Sequence, residues 1–198
     1  PYTGNWYTTT KYRIINEFGD TVWAEISKEI YYWWVMMPKL SDEDPRMDSY
    51  VYNRFWRDYL YNYADPSYPL LKDVLQNLTV FWDGLYHVWP GGRLFSDTML
   101  AVDAIGNWVS ETVPYPASGN RPIQPNVIAH EHNGNCGELQ DLLNAAARTA
   151  LLPVLSVSNW PEDHVWNEVY HWEGNWYEYQ VDLGHSSTHV RDSTTAYD

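Results

Sequence analysis

The chain has 198 residues, enough for one domain or a small two-part domain with a proper core. Its 12 Lys and Arg stand against 26 Asp and Glu, a net charge of −14, which argues against nucleic acid or an anionic membrane surface as partner, since both demand a basic face. No apolar run approaches the roughly eighteen residues of a membrane span, and a lone cysteine excludes an internal disulfide.

Residues 6–37 read as long strands, broken by a turn at Phe18-Gly19-Asp20 into an antiparallel hairpin. Ser41-Asp42-Glu43-Asp44-Pro45 reads as a solvated acidic turn ahead of a helix. The helix expected over 47–63 carries Tyr50, Tyr52, Phe55, Trp56, Tyr59, Leu60, Tyr61 and Tyr63. Aromatics on every side wedge it between packing partners. Pro66 and Pro69 precede a short helix over 70–77, then a strand, Leu78 to Trp82, and a turn at Asp83-Gly84. Pro90-Gly91-Gly92 is the clearest loop and the expected seam between an N-terminal part, 1–92, and a core, 93–198.

A helix is expected from Ser96 or Asp97 to Glu111, burying Met99, Leu100, Val102, Ile105, Trp108 and Val109. The loop from Pro114 to Pro125 should then form a wall of a cleft on its way to His130. Beyond it, Leu139, Leu142, Leu143, Ala146, Ala147 and Ala150 fall on one stripe of an amphipathic helix, with Gln140, Asp141, Asn144 and Arg148 opposite. Asn135 is its N-cap, Glu138 completes a capping box, and Gly134 permits the sharp entry. Cys136 is therefore the first helical residue, where unpaired N–H groups and the positive helix end favour a thiolate, the nucleophilic form.

A nucleophile needs a base, and the base an orienter. Downstream, His164 to Tyr170 and Trp176 to Asp182 read as two strands joined at Glu173-Gly174-Asn175. His164 opens the first, and Gln180 and Asp182 lie near the end of the second, so an antiparallel hairpin sets them side by side. The tail from Leu183 is polar and expected to be loosely held.

The run Gly134-Asn135-Cys136-Gly137-Glu138-Leu139, the strand Asp163-His164-Val165-Trp166-Asn167-Glu168-Val169-Tyr170 and the turn Gly174-Asn175-Trp176-Tyr177 together resemble the transglutaminase-like superfamily. The His strand is most similar to the peptide:N-glycanase and microbial protease-like branches. The resemblance spans roughly residues 97–183. It implies an α+β fold, a permuted papain-like core with helices packed on an antiparallel sheet, here preceded by the N-terminal hairpin and helices. It further implies a Cys-His-Asp triad attacking amides, with no cofactor and a protein or peptide as substrate. The triad Asp of the family falls at Gln180 in this chain. Residues 178, 180 and 182 share one strand face, so alternation does not choose among them, and Asp182 is favoured if the strand bulges. Leu151-Leu152-Pro153 stands where the family closes the helix with Gly. Gln124, Asn133 and Trp108 are candidates for the side-chain donor to an oxyanion. Hydrolysis is expected over amine transfer, and a binding module that has lost turnover is the alternative.

A metal is the rival reading of the same residues: His130, His132 and Cys136 offer three ligands, with His185, His189 and Asp192 as possible additions. No fourth ligand stands at a customary spacing, and no metal is assigned. The 12 Trp and 17 Tyr with few Lys point to an extracytoplasmic setting, which the single sequon Asn77-Leu78-Thr79 does not decide. No signal peptide is visible, and a start at Pro1 rather than Met leaves room for a removed leader or a larger parent. Nothing in the sequence fixes the oligomeric state.

Overall fold

The computed structural model describes residues 10–16, 18–62, 70–76, 101–114, 116–170, 174 and 176–181, with the backbone alone of strands at 82–83, 87–88, 94–95 and 188–192. These residues are arranged around one helix, α6 (Cys136–Thr149). From Glu138 to Thr149 every residue is buried, including the Gln140, Asp141, Asn144 and Arg148 that the sequence assigns to an outer face. They tolerate burial because the fold supplies partners. Asn144 Nδ2 donates to Ser156 Oγ at 2.8 Å, and Arg148 Nε donates to Val154 O at 3.0 Å. The apolar stripe is thus only the oily part of a helix wrapped all round.

The helix ends with Leu151 in the left-handed region at φ 66°, in the segment where a glycine is usual. Backbone bonds from Leu151 N to Arg148 O (3.1 Å) and from Leu152 N to Ala147 O (2.8 Å) close it. A side chain in that conformation costs about 1–2 kcal/mol, which those bonds offset.

Against α6 lies an antiparallel sheet with its strands in chain order: β6 (Val154–Asn159), β7 (His164–Tyr170), β8 (Trp176–Val181) and β9 (Thr188–Asp192). The expected hairpin is β7 and β8, with Asn167 opposite Tyr179 and Glu168 opposite Glu178. The tail is corrected at 188–192: these residues pair with β8 as an edge strand. Pairing there runs through backbone groups and needs no apolar side chains, so the polar composition conceals it.

Helix α4 (Ala101–Thr112) packs beside α6 through its buried Val102, Ile105 and Val109. The expected start at Ser96 or Asp97, with Met99 and Leu100, lies outside the described residues. A helix then appears where a plain loop is expected, α5 (Pro125–Glu131). Gln124 is extended before it, Pro125 takes the first helical turn, and His132 stops it at φ 53°.

In the front portion, β1 (Tyr12–Ile15) and β2 (Thr21–Ala24) form the expected hairpin, and β3 (Trp82–Asp83) runs parallel to β1. The strands do not continue to residue 37. Ser27 Oγ accepts the Ile30 N–H at 3.2 Å and starts α1 (Lys28–Tyr31), which runs into a π-helical turn, Tyr32–Met36. The helix expected over 47–63 is also shorter, α2 (Trp56–Asn62), preceded by a tight turn in which Asp48 bridges Arg54 and Tyr52 and Asn53 take positive φ. Trp56, Tyr59 and Leu60 are buried, whereas Tyr50, Tyr52 and Tyr61 are exposed. A short α3 (Leu71–Leu75) and the strand pair β4 (His87–Val88) and β5 (Leu94–Phe95) follow. The Pro90-Gly91-Gly92 seam and the sequon lie outside the described residues.

The result is a mixed helix and antiparallel-sheet architecture. Tyr12, Val35 and Trp56 from the front share one buried cluster with Ile105, Leu142 and Tyr179. Among the described residues no helix is long and apolar enough to cross a membrane.

Candidate active site

A cleft of about 600 Å³ is lined by the first turns of α6, the loop at 40–42, the loop at 121–123, and the strand ends around Ser158 and His164. The 121–123 stretch is the wall expected of the long loop. Cys136, a free and half-buried thiol, is the first residue of α6 and lines the cleft. Its position is fixed from below. Glu138 accepts the Asn135 N–H at 2.7 Å, the reciprocal arm of the capping box, and meets Arg121 at 3.4 Å. A Cβ on Gly134 would sit 2.3 Å from the Glu138 Cβ, so only glycine lets that carboxylate fold back under the turn. Asn135 Oδ1 accepts the Ala117 N–H at 3.0 Å, tying the loop to the helix start.

His164 opens β7 and lines the same cleft. Its ring stacks on Trp166 with centroids 5.9 Å apart, and its Nε2 lies 3.2 Å from Gln180 Oε1. Gln180 Nε2 in turn donates to Glu178 Oε1. With the Gln180 amide nitrogen on Glu178, the amide oxygen faces His164. That oxygen only accepts. The proton of a neutral imidazole therefore sits on Nε2, and Nδ1 keeps its lone pair. Among the described residues no hydrogen bond joins thiol to imidazole; both line one cleft, an arrangement resting sites often show before substrate draws them together.

Of the orienters expected, Gln180 is thus against the ring, and Asp182 lies outside the described residues. The expected oxyanion donors sit elsewhere. Trp108 is buried in α4, Gln124 Nε2 donates to Asp44 O at 2.8 Å, and Asn133 Nδ2 holds Ser118 O and Asn120 O at 2.7 and 3.1 Å. None of the three lines the cleft. The metal reading loses its geometry as well. His130 lies near the end of α5 with Nδ1 3.2 Å from Tyr59 Oη, His132 Nδ1 is 2.9 Å from Thr112 O, and among the described residues no three His, Cys, Asp or Glu side chains gather as a metal would require. His185 and the side chains of His189 and Asp192 lie outside the described residues.

Sequence reasoning passes over the acidic loop. It is not a solvated turn: Glu43 is buried, and its carboxylate accepts the Leu40 and Ser41 N–H groups, both at 2.8 Å. This folds Ser41 and Asp42 into the cleft wall, where Ser41 Oγ bonds Asp141 and lies 3.1 Å from Asp42 Oδ1. Gln140 and Asp141 line the cleft from α6, and Trp160, 89% exposed, stands at its edge. The signal for this loop was weak, because a buried carboxylate and a solvated one look alike in sequence.

Burial, countered by the Ser41 hydroxyl and reinforced by Asp42, Glu43 and Glu138 nearby, pushes the Asp141 carboxyl up to about 8. The native state then holds a proton that the unfolded chain has released. Stability from this group is therefore full below the unfolded pKa near 4 and falls as pH rises toward 8. Asp141→Asn is expected to flatten that slope and to melt above the wild type at pH 8, by several degrees, in thermal denaturation followed by circular dichroism. Parallel melting curves across this range would assign the proton elsewhere.

No curated protein and no solved structure matches the chain. Residues 94–181, from β5 to the end of β8, match the family model described as Transglutaminase-like superfamily.

Proposed function

We propose that the chain is a cysteine-dependent hydrolase of peptide or side-chain amides, with Cys136 as nucleophile, His164 as general base and Gln180 as the residue that orients the imidazole. The observation that carries this reading is the shared cleft: a thiol at a helix start and an imidazole whose Nε2 is bound to an amide oxygen. His164 Nδ1 takes the thiol proton, and the thiolate adds to the amide carbonyl. The oxyanion is met by the Cys136 backbone N–H, one of the unpaired donors at the helix start. A second donor comes from the cleft lining. Gln140, one turn beyond Cys136, is suited to it, because helical side chains lean toward the N-terminus. Collapse breaks the C–N bond, the imidazolium protonates the departing amine, and a thioester remains. Water, deprotonated by His164, then releases the acid and restores the thiol.

Water is favoured as acceptor over an amine because the cleft is open to solvent. Besides His164, Trp160 is the sole aromatic side chain among its described lining residues, and it stands in solvent rather than roofing a tunnel. Asp42, Glu138 and Asp163 face Arg121 alone across the lining, so acidic peptides are disfavoured as substrates. The neutral partner of His164 favours the second reading, a binding module without turnover, because an amide stabilises imidazolium less than a carboxylate does.

Alkylation separates the two. Iodoacetamide at neutral pH is expected to modify wild-type Cys136 at least about tenfold faster than in His164→Ala, since a base at hand supplies thiolate. Equal rates would leave the module reading.

A further inference from the structure

Behind the thiol and imidazole lies a buried carboxylate. Glu178 is 1% exposed, in the middle of β8, directly opposite Glu168 on β7. Its cross-strand neighbour on the other side of β8 is Arg191 of β9, whose side chain lies outside the described residues; among the described residues no Lys, Arg or His forms an ion pair with Glu178, and its Oε2 has no hydrogen-bond partner. Burial raises the Glu168 carboxyl above its ordinary value, and the neighbouring Glu178 raises it further. Glu178 Oε1 accepts from the Gln180 amide, whose far side holds His164.

We propose that Glu178 is a positioning residue for the His164 imidazole, acting through Gln180: the orienting carboxylate stands one side chain behind the ring instead of against it. The inference rests on His164 being the base. Two consequences follow from the chain Glu178 to Gln180 to His164. The first is orientation. A lone glutamine beside a histidine could turn either end of its amide to the ring, and with the nitrogen inward it would demand a lone pair on Nε2, moving the proton to Nδ1 and leaving nothing there to take the proton of a thiol. Glu178 opposes that turn, because its Oε1 accepts the amide N–H. The second is polarity. Drawing the amide N–H toward a carboxylate shifts electron density to Oε1, so the neutral glutamine becomes a better partner for the imidazolium. Alternation along both strands sets the parts in line, since residues 178 and 180 share a face of β8, as 164, 166 and 168 share one of β7. Trp166 stacks on the ring from within that row and keeps it from rotating out of line.

The test is iodoacetamide alkylation of Cys136 in the whole chain, with thermal melting of each variant. Glu178→Leu keeps a side chain of similar size in the buried position and removes the acceptor, so it is expected to show a cooperative melt and still lose at least about tenfold in alkylation rate. Gln180→Glu in that background puts a carboxylate directly on His164 and should restore the rate, which no role in packing explains. Wild-type alkylation in Glu178→Leu, or failure of Gln180→Glu to restore a lost rate, overturns the proposal. His164→Ala separates the two readings. If it too alkylates at the wild-type rate, the base assignment fails and this proposal with it; if it is slow while Glu178→Leu is not, Glu178 alone fails. A second measurement reads the wild type itself: long-range nitrogen–proton NMR, with His164 identified among the 7 histidines by its loss in His164→Ala, should show the proton on Nε2. A proton on Nδ1 overturns the proposal outright.

Discussion

Cys136→Ala is expected to lower amide turnover by about 10⁴-fold or more while leaving the melting temperature nearly unchanged. The two halves of this expectation come from one location. As the first residue of α6, Cys136 is only half-buried and lines the cleft, so deleting its sulfur widens a solvent-filled space rather than opening a void in the core. The cost in stability should stay below about 1 kcal/mol. In turnover the loss is of another order, since without the thiol no covalent intermediate forms and His164 has no proton to take. The measurement is product formation from a panel of neutral and basic peptides bearing side-chain amides, with cleaved, deamidated and amine-linked products separated by mass, beside circular dichroism of both proteins. Turnover surviving in Cys136→Ala would move the chemistry away from this helix end.

The largest effect on stability is expected at Arg148. It is 1% exposed and reaches three carbonyls on different segments: Val154 at the start of β6, and Met37 and Lys39 in the stretch after the π-helical turn. Its guanidinium also lies 5.8 Å from the Trp34 ring centre. Burial, with Arg57 nearby, lowers its pKa to about 10, and it remains charged at neutral pH. Arg148→Ala leaves those carbonyls unpaired inside the protein and a hole where the side chain lay. We expect a loss of about 3–5 kcal/mol, or roughly 10 °C in melting temperature for a chain of this size. Arg148→Lys should recover only part of it, because a single ammonium cannot span the carbonyls that a planar fork reaches. Calorimetry of the three proteins checks the order; an alanine variant within 2 °C of the wild type would mean that water or a neighbour replaces the guanidinium.

The centre of this fold was legible where local chemistry specifies it. The start of α6 at Cys136, its capping box, and the two aromatic strands β7 and β8 all follow from residue type and spacing, and each is where the sequence sets it. That Gln180 would lie beside His164 was legible from the antiparallel hairpin that brings the end of one strand to the start of the other. What escaped depends on distant parts of the chain meeting. Gln140, Asp141, Asn144 and Arg148 look like a solvent face until other elements cover them. Glu43 looks like a surface acid until two N–H groups fold over it. The strand β9 hides in a polar tail because backbone pairing leaves no mark on side chains. Helix α5 was different: Pro125 after an extended Gln124 was a legible start signal, outweighed by the prolines around it.

Arg148 also fastens Met37 and Lys39 to the far end of the helix that begins with Cys136, and the next residues, Leu40 to Asp42, form one side of the cleft. Transplanting residues 94–181 into a foreign scaffold would therefore carry Cys136 and His164 without the surface that faces them. In any chimera or library built on this chain, the stretch from 37 to 43 belongs with the sulfur, however far apart the two stand in the written sequence.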